Sequence, residues 1–366
     1  MNKKFFCGIC TLAGTIIGVG LFSLPYIAYQ SGIWTMLFYF FGLGALIIIV
    51  HLMFGEVSMA TPDYLRFPGF AKLHLGKTAE KISLISIILG LFGANLAYLI
   101  IGGKFLNILL GTNNELIGIF LYFILGSILI YFGIRVISQV EFWGLILFFI
   151  ILFAIFFNVA PFLKIENIFL SNPQKDFFLP YGPILFALWG AALIPEVEEM
   201  LGKNKKLLKK IIFIAILIPF ITYLFFTFMV LGVTGSNTSQ EAIEGLKNIL
   251  GSKTIILALF FGLLTTFTSF ISIGLTLRKV FNYDLKINKK IASAIVCFTP
   301  LVLFLIGFKS FISVISFVGG ITIGIDGILI ILMYQKIKQK KVPLFTYPLI
   351  LIFVLGIIYQ IIYFLK

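Results

Sequence analysis

The first apolar segment, residues 5–28, most constrains what this chain can fold into. It carries no charged residue and is long enough to cross a hydrocarbon core of about 30 Å as a helix. Yet it contains Gly14, Gly18 and Gly20, and Pro25 follows them. Inside a helix, glycine costs about 1 kcal/mol relative to alanine and proline about 3 kcal/mol. Because broken helices occur at membrane depth only where the freed backbone faces protein or a water-filled cavity, the segment predicts an interrupted helix beside a polar site.

The composition extends this prediction to the whole chain. Of 366 residues, 60% are hydrophobic and 11% are charged, whereas soluble domains have about 25% charged residues. The sequence therefore predicts an all-α polytopic membrane protein that forms a single membrane domain over residues 1–366. With about 20 apolar residues per span, eleven transmembrane helices are expected near residues 5–29, 33–55, 82–106, 115–134, 139–162, 180–200, 210–232, 254–278, 290–308, 310–334 and 343–365.

The positions of the basic residues predict the orientation. If the N-terminus is cytoplasmic, 21 of the 28 lysines and arginines lie in cytoplasmic segments and 7 lie outside. The positive-inside rule then favours a cytoplasmic N-terminus and an external C-terminus in a cell membrane. The same distribution explains the net charge of +14 through contact with anionic lipid, so the lipid bilayer is the expected partner and nucleic acid is not.

A second interrupted segment, residues 180–200, matches the first in spacing. Gly190 follows Gly18 by 172 residues, and the uncharged spans that begin at residues 82 and 254 are equally far apart. Five spans separate the two interruptions, so the second unit must be inserted upside down. Paired interruptions in two inverted halves are the best sequence indication of a transporter binding site. The halves are residues 5–162 and 180–334, followed by an extra helix at 343–365.

Three segments carry a resemblance to a known family. The segments GTIIGVGLFSLP, ILFALWGAALIPEV and TTFTSFISIGL begin at Gly14, Ile184 and Thr265. They resemble the amino acid/auxin permease family, especially its bacterial aromatic amino acid permeases, within the amino acid–polyamine–organocation superfamily. The resemblance implies the leucine-transporter fold, with ten core helices as a 5+5 inverted repeat, broken helices one and six, and a peripheral eleventh helix. It also implies a cation-coupled amino acid symporter that imports by alternating access.

The broken first span is the primary candidate for the substrate site. Backbone N–H groups at the start of its outer half would bind a carboxylate, and carbonyls at the end of its inner half would face a cation or an ammonium group. The alternative is helix packing, since Gly14 and Gly18 form a small-xxx-small pattern. The candidate substrate residues of this span are Thr15, Gly18, Val19 and Gly20.

The third and sixth spans supply the other candidate substrate residues. By resemblance, the sixth span lines the pocket for the substrate side chain, and its alanines leave volume for a bulky apolar or aromatic amino acid. Aromatic residues in spans are otherwise ordinary core or lipid-facing residues. The candidates are Asn95, Tyr98, Phe186, Ala187, Trp189 and Ala191.

A cation site is expected where the eighth span faces the first. Thr265, Thr268 and Ser269 lie on one helical face, and in sodium-coupled relatives this pattern joins first-span carbonyls, here those of Gly14 and Ile17. The alternative is local bonding of the hydroxyls to the preceding turn. The fifth span contains no lysine that could replace the cation, which favours Na⁺, although the permeases that the chain resembles are proton-coupled.

The remaining ionisable residues point to few other functions. Asp326 is the only acid well inside a predicted span and is the candidate for proton coupling. His51 and His74 stand alone, so no metal or phosphate site and no cofactor beyond the coupling ion, Na⁺ or H⁺, is expected. We expect Glu196, Glu198 and Glu199 to be solvated at a cytoplasmic helix end.

Two other classes of protein remain as alternatives. A membrane-embedded enzyme acting on a lipid-linked substrate would need clustered acids, histidines or arginines at the interface, and the acids here are dispersed, so no enzyme is expected. A non-transporting receptor with the same fold would typically carry a long regulatory tail. The sequence leaves the amino acid, symport against exchange, and the oligomeric state open.

Overall fold

The computed structural model describes residues 3–61, 65–133, 137–247, 252–339 and 343–365. These residues are predominantly helical and include no strand, as expected from the runs of apolar residues. The α-helices are α1 (Lys3–Ile16), α2 (Gly20–Ser31), α3 (Ile33–Ala60), α4 (Phe67–Leu75), α5 (Lys77–Leu110), α6 (Glu115–Phe132), α7 (Ile137–Val159), α8 (Ile165–Phe169), α9 (Tyr181–Leu188), α10 (Ile194–Leu201), α11 (Leu208–Thr234), α12 (Ile243–Lys247), α13 (Ser252–Lys279), α14 (Lys289–Leu305), α15 (Phe311–Phe317), α16 (Ile323–Lys338) and α17 (Thr346–Leu365).

Nine spans of the described chain are long and apolar enough to cross a membrane, if the bent pair α1 and α2 counts as one. Two of the eleven predicted spans fall outside this set. The first is residues 180–200, which is divided between α9 and α10, each of 8 residues. The second is residues 290–308, where α14 has 17 residues, at the lower end of the length that spans a bilayer.

Both predicted interruptions are present. The axes of α1 and α2 differ by 51°, with residues 17–19 between them. In the sixth predicted span α9 ends at Leu188, the backbone of Trp189 is extended (φ −80°, ψ 128°), and a 3-10 turn, Ala191–Leu193, leads into α10. Pro195 lies in the first turn of α10, where its missing N–H costs no helical hydrogen bond.

The broken helices lie in the middle of the bundle. α1 packs against α7 and α11, α2 packs against α9 and α11, and α9 packs against the turns around Val318–Thr322 between α15 and α16. That last contact is backbone to backbone, because a Cβ added to Gly319 would overlap the carbonyl of Gly182. In contrast, α17 packs chiefly against α16 and leaves most of its side chains exposed, in the position expected for a peripheral helix.

Burial differs from the sequence prediction at Glu198. Glu196 is partly exposed and Glu199 is exposed, but Glu198 is buried and accepts a hydrogen bond from Ser58 of α3. Helix geometry explains the difference, because successive residues of α10 point in directions about 100° apart. The expectation of three solvated acids is therefore wrong for Glu198.

Candidate functional site

A cavity of about 110 Å³ lies between the two helix breaks and continues along α5, α13 and α16. Polar groups and freed backbone of both breaks therefore face one cavity in the middle of the bundle. Of the sequence candidates, this cavity is lined by Thr15, Gly20, Tyr98, Phe186, Ala187, Trp189, Ala191 and Asp326. Its remaining walls include residues that the sequence did not single out, among them Gly90, Ala94, Ser272, Thr276 and Thr322.

The glycines of the first break allow three chain segments to meet. A Cβ added to Gly20 would lie 2.7 Å from the Cα of Ala187, so α2 and α9 approach backbone to backbone. A Cβ added to Gly18 would overlap the hydroxyl of Tyr98. The glycines of this break therefore serve both roles. They allow the helices to pack closely, and this packing brings the backbone of Gly20 to the cavity wall.

The ends of the half-helices give the break its electrostatic character. α2 begins at Gly20, and no side chain caps it, since Val19 precedes it. The first N–H groups of a helix have no acceptor within it, and the helix dipole makes this end attractive to an anion. Val19 is fully buried, and its backbone lies beside the hydroxyl of Tyr98.

Tyr223 of α11 joins the two broken spans, and the sequence analysis missed it. Its buried hydroxyl donates to the carbonyl of Ile16, at 2.6 Å, and lies 3.2 Å from the carbonyl of Ala187. It therefore satisfies a carbonyl at the end of α1 that the sequence analysis had assigned to a cation or an ammonium group. The available signal was a tyrosine inside an apolar span, because a buried tyrosine hydroxyl usually requires a partner.

Four of the five predicted cation residues line a second, smaller cavity of about 20 Å³. They are Gly14, Ile17, Thr265 and Thr268, together with Gly144, Leu145, Phe148 and Leu264. A cavity of this size holds about one water molecule or one small ion. The segment of α7 that faces it contributes no lysine, in agreement with the sequence.

The threonine hydroxyls bond to the preceding turn, as the alternative reading expected. Thr265 donates to the carbonyl of Phe261 at 2.8 Å, and Thr268 donates to the carbonyl of Leu264 at 3.0 Å. A hydroxyl has one proton and two lone pairs, so this bond uses the donor and leaves oxygen lone pairs for another ligand. Bonding to the preceding turn is therefore compatible with cation binding.

Four candidates do not line the cavities for which they were predicted. Gly18 and Val19 are not among the residues that line the substrate cavity, and their backbones lie beside the hydroxyls of Tyr223 and Tyr98. Ser269 is not among the residues that line the small cavity and lies beside Tyr98 instead. Asn95 is fully buried but does not line the substrate cavity, and its amide lies near Gly274 of α13. The physical reason is the 100° rotation per residue, which turns Asn95 away from the face of α5 that carries Ala94 and Tyr98.

Asp326 lies on the cavity wall at the end remote from the breaks. It is 9% exposed and is next to Ser86 of α5, whose hydroxyl donates to the carbonyl of Thr322 at 2.9 Å. Ser86 precedes Tyr98 by 12 residues on the same helix, which corresponds to about 18 Å along the axis. An amino acid held at the breaks is too short to reach Asp326. A substrate bound there would therefore not contact this carboxylate.

Ion pairs lie just beyond this end of the cavity. Glu196 of α10 lies 3.8 Å from Arg66, which immediately precedes α4, and 3.3 Å from Lys279 of α13. Each of these residues is one to three positions beyond a residue that lines the cavity, namely Phe67, Leu193 or Thr276. The ion pairs therefore connect three walls of the cavity across one end.

The opposite side of the breaks is closed by aromatic rings. Phe22 of α2 is fully buried and packs edge to face against Phe105, Phe226 and Phe261, with ring centroids 5.1 to 6.0 Å apart. These rings come from α5, α11 and α13. The cavity therefore extends from the breaks towards Asp326 and does not extend past Phe22.

Known proteins resemble this chain over most of its length. It is 26% identical to "Tyrosine-specific transport system 1" of Haemophilus influenzae over 285 residues, covering 73% of this chain and 70% of that protein. It is 23% identical to "Glutamine transporter 2" of Aliivibrio fischeri over 359 residues, covering 93% and 91%. It is 27% identical to "Low affinity tryptophan permease" of Escherichia coli K12 over 287 residues, covering 70% and 64%.

A family model gives the most extensive match. The model of the tryptophan/tyrosine permease family matches residues 1–363. Its members and the relatives above are transport permeases, so the prediction that the chain is not an enzyme is confirmed, as is the resemblance to aromatic amino acid permeases. The apolar helices and the match to an amino acid permease over almost the whole chain together lead to one conclusion: this integral membrane protein belongs to the tryptophan/tyrosine permease family.

Proposed function

We propose that the protein is a secondary transporter that imports a bulky apolar or aromatic amino acid together with a cation, by alternating access. The observation that carries this proposal is the single cavity that faces both helix breaks. Relatives named for the transport of tyrosine, tryptophan and glutamine support an amino acid as the substrate. An aromatic substrate is favoured because Phe186 and Trp189 line the cavity beside the small side chains of Ala187 and Ala191.

The breaks suit the two charged groups of an amino acid. The substrate carboxylate would accept a hydrogen bond from the N–H group of Gly20, which lines the cavity at the start of α2, where the helix dipole favours an anion. Gly18 and Val19 lie behind this position, with their backbones beside the hydroxyls of Tyr223 and Tyr98. The ammonium group would lie towards the carbonyl ends of α1 and α9, near Thr15. The side chain would then extend towards Phe186 and Trp189.

Uptake into proteoliposomes tests the substrate. A panel of radiolabelled amino acids, with an imposed Na⁺ or H⁺ gradient, is expected to give the highest uptake for tyrosine, tryptophan or phenylalanine. The amides of these amino acids lack the carboxylate and should compete at least tenfold more weakly. Equal competition by amides would contradict carboxylate binding at the first break, and no gradient-driven uptake of any amino acid would contradict the function.

The small cavity is the proposed cation site. Hard cations prefer oxygen ligands, and Thr265 and Thr268 retain lone pairs next to the backbone of Gly14 and Ile17. We expect the Thr265→Ala, Thr268→Ala double variant to lose most Na⁺ stimulation of uptake. Ser269→Ala is the matched control, because Ser269 lies on the same helix but does not line this cavity.

The same uptake assay in proteoliposomes identifies the coupling ion. If uptake by the unmutated protein ignores Na⁺ but follows a proton gradient, the sodium site is refuted and the hydroxyls serve helix packing. Asp326 is then the candidate proton carrier, because it is the acid on the cavity wall and is 9% exposed.

The proposed architecture is eleven spans as two inverted five-helix repeats plus α17, with the N-terminus in the cytoplasm and the C-terminus outside. In that orientation the cavity reaches towards the cytoplasm, where the ion pairs of Glu196 cross its end, and the rings around Phe22 close the external side, which corresponds to a state of the transport cycle that is closed to the outside. The broken α9–α10 pair and the 17-residue α14 would account for the spans beyond nine. A periplasm-active reporter should give signal after Lys366 and none after Lys341, and the reverse pattern would refute this topology.

A further inference from the structure

His51 is a buried histidine whose two ring nitrogens both have partners next to the cavity. It lies in α3 and is 0% exposed. Its Nδ1 is 2.9 Å from the carbonyl of Ile47, one turn earlier in the same helix. Its Nε2 is 2.9 Å from the backbone nitrogen of Gly190, within the break of the sixth predicted span.

These two contacts determine the tautomer of the ring. The N–H of Gly190 can only donate, so Nε2 must present its lone pair and carries no proton. The carbonyl of Ile47 can only accept, so the proton of the neutral ring is on Nδ1. His51 therefore links the regular helix α3 to the break through one acceptor atom.

The break offers no other helical partner to this N–H. α9 ends at Leu188, and Trp189 is extended, so Gly190 lies outside the hydrogen-bonding pattern of the helix. Gly190 is nevertheless buried. An unpaired buried N–H group is costly, and acceptance by His51 removes that cost.

His51 also supports the aromatic wall of the cavity. Its ring packs edge to face on Trp189, with the centroids 4.8 Å apart and the planes at 80°. Trp189 and Gly190 both line the cavity, and a Cβ added to Gly190 would lie 2.7 Å from the Cγ1 of Ile16 at the end of α1. One imidazole thus contacts the part of the sixth span that faces both the substrate cavity and the first break.

We propose that His51 is a positioning residue of the transport site. The lone pair of its Nε2 holds Gly190, and its ring holds Trp189, so that the aromatic wall is in place before the substrate binds. This inference rests on the proposed function and assigns a role to a residue that need not touch the substrate. It also explains why a lone histidine occurs inside an apolar span that has no metal or phosphate motif.

Two substitutions of His51 separate this role from simple packing. The side-chain oxygen of glutamine is as many bonds from the backbone as Nε2, whereas that of asparagine corresponds to Nδ1. His51→Gln can therefore accept from Gly190, and His51→Asn cannot reach it. We expect His51→Gln to keep the KM for radiolabelled tyrosine within about threefold of the unmutated value, and His51→Asn to raise it about tenfold with little change in kcat.

Fluorescence of Trp189 gives a second readout that needs no transport. Trp34 and Trp143 are 73% and 67% exposed, so both can be replaced by phenylalanine to leave Trp189 as the single tryptophan. In substrate-free protein, the emission maximum should shift further to longer wavelength in His51→Asn, which lacks both the acceptor and the ring, than in His51→Gln, which lacks only the ring. His51→Met, which matches glutamine in length but lacks its strong acceptor, replaces His51→Asn if that variant does not fold.

The outcomes test the positioning role of His51 separately from the proposed transport function. Equal KM values and equal emission maxima in His51→Gln and the acceptor-free variant would overturn the positioning role. If the unmutated protein takes up no amino acid, the proposed function fails, and the emission of Trp189 still decides whether His51 positions the wall.

Discussion

The hydroxyl of Tyr223 provides the sharpest test of how the two broken spans are held together. Tyr223→Phe removes one oxygen and leaves the ring, so it removes the hydrogen bonds at 2.6 Å to Ile16 and 3.2 Å to Ala187 and the contact of the hydroxyl with the backbone of Gly18. Tyr223 is 0% exposed, so water cannot replace the hydroxyl without entering the core. Leaving a buried acceptor unsatisfied costs about 1–3 kcal/mol. If that cost applies to the conformation that binds substrate, affinity should fall between about fivefold and about 150-fold.

The assay compares KM, kcat and thermal unfolding of the purified protein in the same detergent or lipid. Tyr181→Phe is the matched control, because Tyr181 is also buried but its hydroxyl lies 3.5 Å from the carbonyl of Ile352, too far for a strong bond. We expect Tyr223→Phe to raise KM at least fivefold and Tyr181→Phe to change it less than twofold. Unchanged transport by a folded Tyr223→Phe variant would refute the reasoning that this hydroxyl couples the breaks.

The remaining predictions concern the break, the far end of the cavity and its ion pairs. Gly20→Val should abolish uptake because even a Cβ would lie 2.7 Å from Ala187, whereas Gly42→Val, where a Cβ meets nothing within 4 Å, should be neutral in uptake and membrane insertion. Asp326→Asn keeps the shape but cannot titrate, so accumulation driven by a proton gradient should fall; unchanged accumulation would demote Asp326 to a structural residue. Glu196→Gln removes a carboxylate that lies 3.8 Å from Arg66 and 3.3 Å from Lys279, although Arg66 keeps Glu199 at 3.3 Å. An introduced cavity cysteine should then react a few-fold faster with a thiol reagent added on that side of the membrane, and an unchanged rate would refute a role in closing that end.

The features that the sequence predicted correctly depend on neighbours along the chain. A long uncharged segment with glycines at positions 14, 18 and 20 predicts an interrupted helix whatever surrounds it, because the cost of glycine is local. The second interruption at Gly190 follows from the same rule. The helical class and the membrane environment follow from composition, and the family follows from motifs that are contiguous in the chain.

Residues that act through distant partners required the tertiary structure. Asp326 was noticed because a carboxylate in a span is costly, and the same argument applies to His51 and Tyr223, yet nothing in the sequence indicates that their partners are backbone groups of the breaks. Those partners lie 139 residues away for His51 and 207 residues away for Tyr223. Contacts at such separations are set by how helices pack.

Adjacent residues on one helix also face different sites once the helices pack. Thr268 lines the small cavity and Ser269 lies beside Tyr98, although the sequence placed both on one helical face. The sequence by itself determined which segments are helical, where two of them break, and which residue types are available at the breaks, because these properties arise from local backbone cost and apolar length. The tertiary structure alone decided which oxygen atoms share a cavity and which buried side chains hold the breaks, because a rotation of 100° per residue makes those contacts depend on the exact orientation of each packed helix.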